Sequence, residues 1–275
     1  MLFNTTGSSN TAVGYGSLLN NTTGYNNISL GANSMYTNTT GFANTSLGND
    51  ALYYNTPGTY NVSIGNATLN KNTTGSDNVA ISGYAMFSNI SGAANIAVGR
   101  EALYANINGF GNQAIGQQAL RFATGSDNTA IGYLSMYNTT TGQNNVALGQ
   151  YSLYNNTTGN YNVAIGYQAL KSNFTGERNV ALGYEALGLG NSTGGSYNTA
   201  LGMWALKYLT TGSNNVAVGY NTAIGVSTGT ANTFIGYDAG SDITTGGNNT
   251  LIGNSARATS GTVSNQITLG NTAIA

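Results

Sequence analysis

The chain has 275 residues, with seven basic and eight acidic side chains, a net charge of −1, and neither Cys nor His. So little charge leaves nothing to draw the chain to nucleic acid or to an acidic membrane surface. The missing thiols and imidazoles remove disulfides and the commonest metal ligands, bases and nucleophiles, so no cofactor is expected. Charged residues are 5% and hydrophobic residues 40% of the chain, which does not match the low-hydrophobicity, high-charge pattern of a disordered segment.

From the N-terminus, Met1-Leu2-Phe3-Asn4-Thr5-Thr6-Gly7 has no basic n-region or apolar h-region, so no signal peptide is expected in this chain. No apolar run approaches the roughly 20 residues that span a bilayer, and no membrane insertion is expected. A repeat then begins and runs to the end. A small-aliphatic-Gly triplet ends at Gly14, Gly31, Gly48, Gly65, Gly99, Gly116, Gly132 and onward to Gly270, with Ser82 filling the one missing register. Thirteen of the 15 intervals equal the step from Gly14 to Gly31, a period of 17. The step from Gly116 to Gly132 is one shorter, and that from Gly183 to Gly202 is two longer. With that Gly as position 0, position −7 is Gly from Gly7 to Gly246 and position −4 is Asn from Asn10 to Asn249. Position −1 is always Val, Ile or Leu, position +3 is Ala, Ser or Thr over most of the chain, and position +4 is Leu or Met from Leu18 to Leu206.

Each unit reads as a short strand and a turn. In Asn61-Val62-Ser63-Ile64-Gly65, Val62 and Ile64 share one face and Ser63 takes the other, the two-residue period of a strand. The two glycines per unit are expected to turn the chain through φ > 0. A helix restarting in every unit between glycines is too short to be more than marginal in water, and leucine-rich repeats need roughly 20–29 residues per unit. The predicted fold is therefore all-β: a parallel β-solenoid, or β-roll, of about 16 coils. Its regular part covers 1–219. Divergent coils of the same solenoid cover 220–275, where Ala223, Gly240 and Arg257 replace the +4 Leu and Phe234 and Leu251 stand at −2.

Each coil offers two large aliphatics to a thin core, which is easier to stabilise if several chains share a centre. A homotrimer is expected on that ground. Asn27, Asn44, Asn61, Asn78, Asn145 and Asn162 are expected to form a structural ladder along the axis.

The runs Asn162-Val163-Ala164-Ile165-Gly166 and Asn128-Thr129-Ala130-Ile131-Gly132 resemble the strand motif in the head domains of trimeric autotransporter adhesins. The longer unit from Thr158-Gly159-Asn160-Tyr161-Asn162 to Tyr167-Gln168-Ala169-Leu170 resembles repeats of phage and bacterial tail-fibre-like proteins. The resemblance covers nearly the whole chain. It implies a left-handed, trimeric rod outside the cell, on a cell or virion surface, that adheres to surface glycans or matrix. The competing reading is a head-to-tail extracellular filament with a mechanical role.

The acids Asp50, Glu101, Glu185 and Asp238 share position +2 but lie at least three coils apart. At about 4.8 Å per coil they form no carboxylate pair, and no enzyme is expected. Aromatic residues recur at +5, at Tyr36, Tyr53, Phe87, Tyr104, Tyr137 and Tyr154. They form either a stripe that stacks on a ligand or a seal of ring upon ring. Asn21, Asn38, Asn72 and Asn156 open N-x-Thr sequons, which read as glycan acceptors or as polar turns.

Overall fold

The computed structural model describes residues 3–190 and 194–271. Two compact units divide the chain at 141/142. The first holds β1 (Thr11–Val13), β2 (Ile28–Leu30), β3 (Thr45–Leu47), β4 (Val62–Ile64), β5 (Val79–Ile81), β6 (Ile96–Val98), β7 (Gln113–Ile115) and β8 (Thr129–Ile131). The second holds β9 (Val146–Leu148), β10 (Val163–Ile165), β11 (Val180–Leu182), β12 (Thr199–Leu201), β13 (Val216–Val218), β14 (Thr233–Ile235), β15 (Thr250–Ile252) and β16 (Ile267–Leu269). Within each unit, successive strands are parallel neighbours, and no helix occurs among the described residues. The fold is a parallel β-solenoid.

Like residues stack on like. Val62 lies beside Val79, Ser63 beside Ala80 and Ile64 beside Ile81. The irregular intervals keep this register. In the shortened unit β7 still meets β8 through Gln113 and Thr129, and in the lengthened one β11 meets β12 through Val180 and Thr199. Both length changes fall between strands, where insertions cost little because loop-closure entropy grows slowly with length.

The strands face the opposite way from the expectation. The central residue at −2 is buried, and the aliphatics at −3 and −1 are half-buried or exposed. The core of each coil is the small −2 residue, the small +3 residue and the +4 Leu or Met. Ala80, Ala85, Met86, Ala97, Ala102 and Leu103 are all fully buried. A buried Leu or Met at +4 contributes about 1.5–3 kcal/mol by its removal from water. The strand lies close to this column, so a residue as small as Ala or Ser fills the gap. Where the pattern loosens, bulk is exchanged across that gap. Phe234 at −2 is fully buried, and its ring occupies the space that a side chain on Gly240 at +4 would need.

The turn is not a glycine device in the way the residue pattern implies. The left-handed backbone falls mostly on ordinary residues at +2, +4 and −5, such as Asp50 (φ 53°), Leu52 (φ 53°) and Tyr60 (φ 56°). A left-handed non-Gly residue costs roughly 1 kcal/mol. The return is a continuous hydrogen-bond ladder around the turn. The Asp50 N–H donates back to Ala32 O (3.0 Å), the Leu52 N–H donates forward to Thr68 O (2.9 Å), and the Tyr60 N–H donates back to Phe42 O (3.2 Å). Glycines at position 0 do have positive φ, for example 139° at Gly48 and 130° at Gly65. Ser82 holds this position with φ 92°, where an L side chain is strained. Ser82→Gly is expected to stabilise the fold by about 1 kcal/mol, read as a higher denaturation midpoint. An unchanged or lower midpoint would contradict the strain at this residue.

Candidate functional site

Two asparagine ladders run along the coils, one at −4 in both units and one at +7 that covers Asn21 to Asn106 in the first unit and only Asn156 and Asn173 in the second. In the first, at −4, the Asn61 Nδ2 donates to Asn44 Oδ1 (3.1 Å) and to Gly75 O (2.9 Å). Its Oδ1 accepts the backbone N–H and the Nδ2 of Asn78, both at 3.1 Å. Asn27, Asn44 and Asn78 repeat this pattern in the first unit and Asn162 in the second. Asn145 accepts from both nitrogens of Asn162 and donates to Gly159 O (2.9 Å). The second ladder, at +7, lies outside the sequence-based expectation. Asn38 Nδ2 donates to Asn21 Oδ1 (2.8 Å) and Gly41 O (3.0 Å), and Asn72 Nδ2 donates to Asn55 Oδ1 and Gly75 O, both 2.9 Å. In the second unit, Asn173 bonds Asn156 (3.2 Å). Asn21, Asn38, Asn72 and Asn156 are fully buried. In the folded chain the side-chain nitrogen that a glycan would modify lies inside the coil, donating to backbone carbonyls. The one signal for this ladder in the sequence is the regular recurrence of Asn three places before the −7 Gly. Later in the second unit this column becomes apolar, with Leu209, Val226 and Ile243 buried in it.

The surface offers three features. The first is the outward face of the strands. Ile28, Leu47, Ile96, Ile115 and Ile131 in the first unit, and Leu182, Val216, Ile235 and Ile252 in the second, are each between 36% and 46% exposed. In each unit the three-residue strands, stacked eight deep, present a face about 10 Å wide and about 38 Å long, with an aliphatic strip at −1 throughout and Thr11, Thr45, Gln113, Thr129, Thr199, Thr233 and Thr250 interrupting the aliphatics at −3.

The second feature is aromatic. Of the six +5 residues, Tyr36 stacks on Tyr53 (5.0 Å between centroids) and Phe87 on Tyr104 (5.4 Å). Tyr137 meets Phe122 edge-on (5.1 Å) and Tyr154 meets Tyr151 edge-on (5.5 Å). All six are half-buried. No continuous stripe forms, because Asn70 and Arg121 occupy the same position in intervening coils. The +1 tyrosines stand further out, with Tyr15 at 85% exposure, and two pairs of them stack: Tyr167 with Tyr184 and Tyr220 with Tyr237.

The third feature is the set of +2 acids. Among the described residues no group of three or more carboxylates gathers as for a metal ion. Instead, three of the four +2 acids hold a cation from the next coil. Glu101 Oε2 accepts from Arg121 Nε (2.7 Å), and Glu185 Oε2 accepts from Lys207 Nζ (2.8 Å) and Trp204 Nε1 (3.0 Å). Asp238 pairs with Arg257. The Glu101 carboxyl is held below its usual range, first by the hydrogen bond from Gln118 and then, against the opposing effect of burial, by Arg121. Arg121 also lies over the Tyr104 ring (5.3 Å) and Lys207 over Trp204 (5.0 Å), so each cation sits between a carboxylate and an aromatic face.

No protein-family model matches the chain, and no curated protein sequence matches it.

Proposed function

We propose that the chain is a non-enzymatic, extracellular structural rod, adhesin- or tail-fibre-like, that works as a homotrimer and displays its outer walls as a binding surface for glycans or matrix. The observation that carries this reading is the aliphatic strip on the outward face of the strands. A branched aliphatic stands at −1 in every coil, yet the inside of the coil is filled by Ala, Ser, Leu and Asn. By its dimensions the strand face of each unit covers roughly 400 Å², about half of the ~800 Å² per partner of a standard interface. Three such strips facing one axis bury one another and leave the turns, with their tyrosines and polar side chains, outward. The scarcity of acids and the absence of His and Cys support a passive role. The polar, nearly uncharged walls suit contact with sugars, where aromatic faces and amide groups do the binding.

The test is the solution mass by light scattering. The expected value is three copies of the 28.1 kDa chain. Ile96→Lys together with Ile131→Lys places unpaired charges in the shared core, at several kcal/mol each, and is expected to yield folded monomers. Ile90→Lys, also exposed (43%) but off the strand face, is expected to leave the mass unchanged. A wild-type chain that is monomeric and folded, or that grows into long filaments of no fixed mass, would overturn the trimer; the filament result would favour the mechanical reading.

A further inference from the structure

The four acids at +2 are not equivalent. Glu101, Glu185 and Asp238 each carry a cation from the following coil. Asp50 does not: its carboxylate accepts only amide hydrogen bonds, from Asn33 Nδ2 (3.1 Å) and Asn49 Nδ2 (2.6 Å). The residue that supplies the cation to Glu101 and to Glu185 stands at +5 of the next coil, as Arg121 and Lys207. At Asp50 that place is taken by Asn70, whose Nδ2 turns to the Asp50 backbone carbonyl instead (2.9 Å). The neighbouring cation, Lys71, lies over the Phe87 ring at 5.1 Å. A surface cleft of about 220 Å³ remains, lined by Asp50, Tyr53, Tyr54 and Asn70.

One aromatic wall of this cleft matches the site of Arg121, and the other, Tyr54, stands where that site has Ala105. Tyr53 holds the place of Tyr104, on the same coil as the acid. Tyr54 meets Tyr53 edge-on with centroids 4.6 Å apart, and Tyr36 stacks on Tyr53 from the coil before. The Tyr53 hydroxyl is pushed above its ordinary value by burial, with smaller contributions from Tyr54, Tyr36 and Asp50, as expected for a phenol in a partly desolvated, anionic recess. A carboxylate beside two aromatic rings attracts a cation by charge and by ring quadrupole together. A planar guanidinium suits it best, because it stacks and hydrogen-bonds at once.

We propose that the Asp50–Tyr53–Tyr54–Asn70 cleft binds a guanidinium group, the arginine side chain of a partner polypeptide, in the way that Glu101 and Tyr104 hold Arg121 within the chain. The cleft is confined to two neighbouring coils of the first unit, so the assignment stands whether or not the rod is trimeric or adhesive.

The probe is N-acetylarginine methylamide, titrated into the full chain at low ionic strength by ligand-observed NMR, with the uncharged citrulline analogue and tetramethylammonium as controls. A dissociation constant in the millimolar range is expected for one such contact, weakening several-fold as salt is raised to about 0.5 M. Asp50→Asn is expected to weaken binding at least tenfold. Asn already stands at +2 as Asn33 and Asn221, so this variant fits the repeat. Asn70→Arg supplies the internal cation, as Arg121 does, and is expected to abolish binding without loss of fold. Wild-type affinity in either variant, or equal affinity for the citrulline analogue, would overturn the site. Tetramethylammonium bound as tightly as the arginine probe would overturn the guanidinium assignment.

Discussion

Asn61→Ala should lower stability by about 3–4 kcal/mol, although Asn61 touches no ligand and replaces no apolar core residue. Asn61 is fully buried and sits mid-ladder. Its loss does not strand every partner. Gly75 O keeps the hydrogen bond from Asn72 (2.9 Å), and Asn44 Oδ1 keeps the one from the residue 61 backbone N–H (2.9 Å). The Asn78 backbone N–H is different, because its acceptor is Asn61 Oδ1. An orphaned buried donor costs about 1–3 kcal/mol, and each lost buried hydrogen bond about 1 kcal/mol more. The vacated amide volume adds to this. Asn61→Asp sharpens the test. It conserves shape and the acceptor but turns two donors into lone pairs facing Asn44 Oδ1 and Gly75 O. A carboxylate buried there has its pKa raised above the usual ~3.9. With the folded value raised, the variant is least penalised below the unfolded value and loses stability as pH rises above it. Denaturant unfolding should place Asn61→Asp below Asn61→Ala at pH 7, with the order closing or reversing near pH 4. A pH-independent gap, or an Ala variant within about 1 kcal/mol of wild type, would show that the ladder is ornamental.

Gly58→Ala is expected to be comparably damaging, by roughly 3 kcal/mol or more, for a reason that has nothing to do with backbone freedom. Gly58 is absent from the residues with positive φ. Its would-be Cβ lands 2.6 Å from Gly75 O and closer still to Asn55 Oδ1. Neither neighbour can yield. Gly75 O is the acceptor for both ladders, from Asn61 and Asn72, and Asn55 is itself a buried rung. Overpacking against such groups costs about 1–3 kcal/mol in strain, to which the broken rungs add. Gly83→Ala is the control: its Cβ would meet nothing nearer than 3.8 Å, and its φ is not positive. There the reduced entropy of the unfolded chain should leave the fold unchanged or stabilise it by about 0.4–1 kcal/mol. Equal midpoints for the two variants would refute close approach as the reason for the −7 glycine.

These two residues also mark how far the residue pattern can be read. The repeat period, the strand at Val62-Ser63-Ile64 and the column of Asn61 and its equivalents are local or strictly periodic, and so are visible without coordinates. The carboxylate–cation contacts are not. Glu101 and Arg121 are more than one full unit apart along the chain, and only a stacked coil, with its wall carrying +2 beneath the next +5, brings them to 2.7 Å. The Asn21 column is visible as a repeat but reads as surface turn, because Asn-x-Thr before Gly has the composition of an exposed loop. Its burial follows from coil closure, which puts Asn21 Nδ2 3.0 Å from Gly24 O.

The period, the all-β solenoid and the stacking of like residues follow from residue order alone, because identical units bury an apolar face most readily by lying on one another in register. Which side of each strand faces in does not. Alternation divides Val62 and Ile64 from Ser63 but is symmetric with respect to inside and outside. The narrow gap to the Leu52 and Leu69 column admits a small side chain and turns the aliphatics outward. Packing distance across the closed coil makes that choice, a quantity with no local signature, and it is what leaves an apolar face available to another chain.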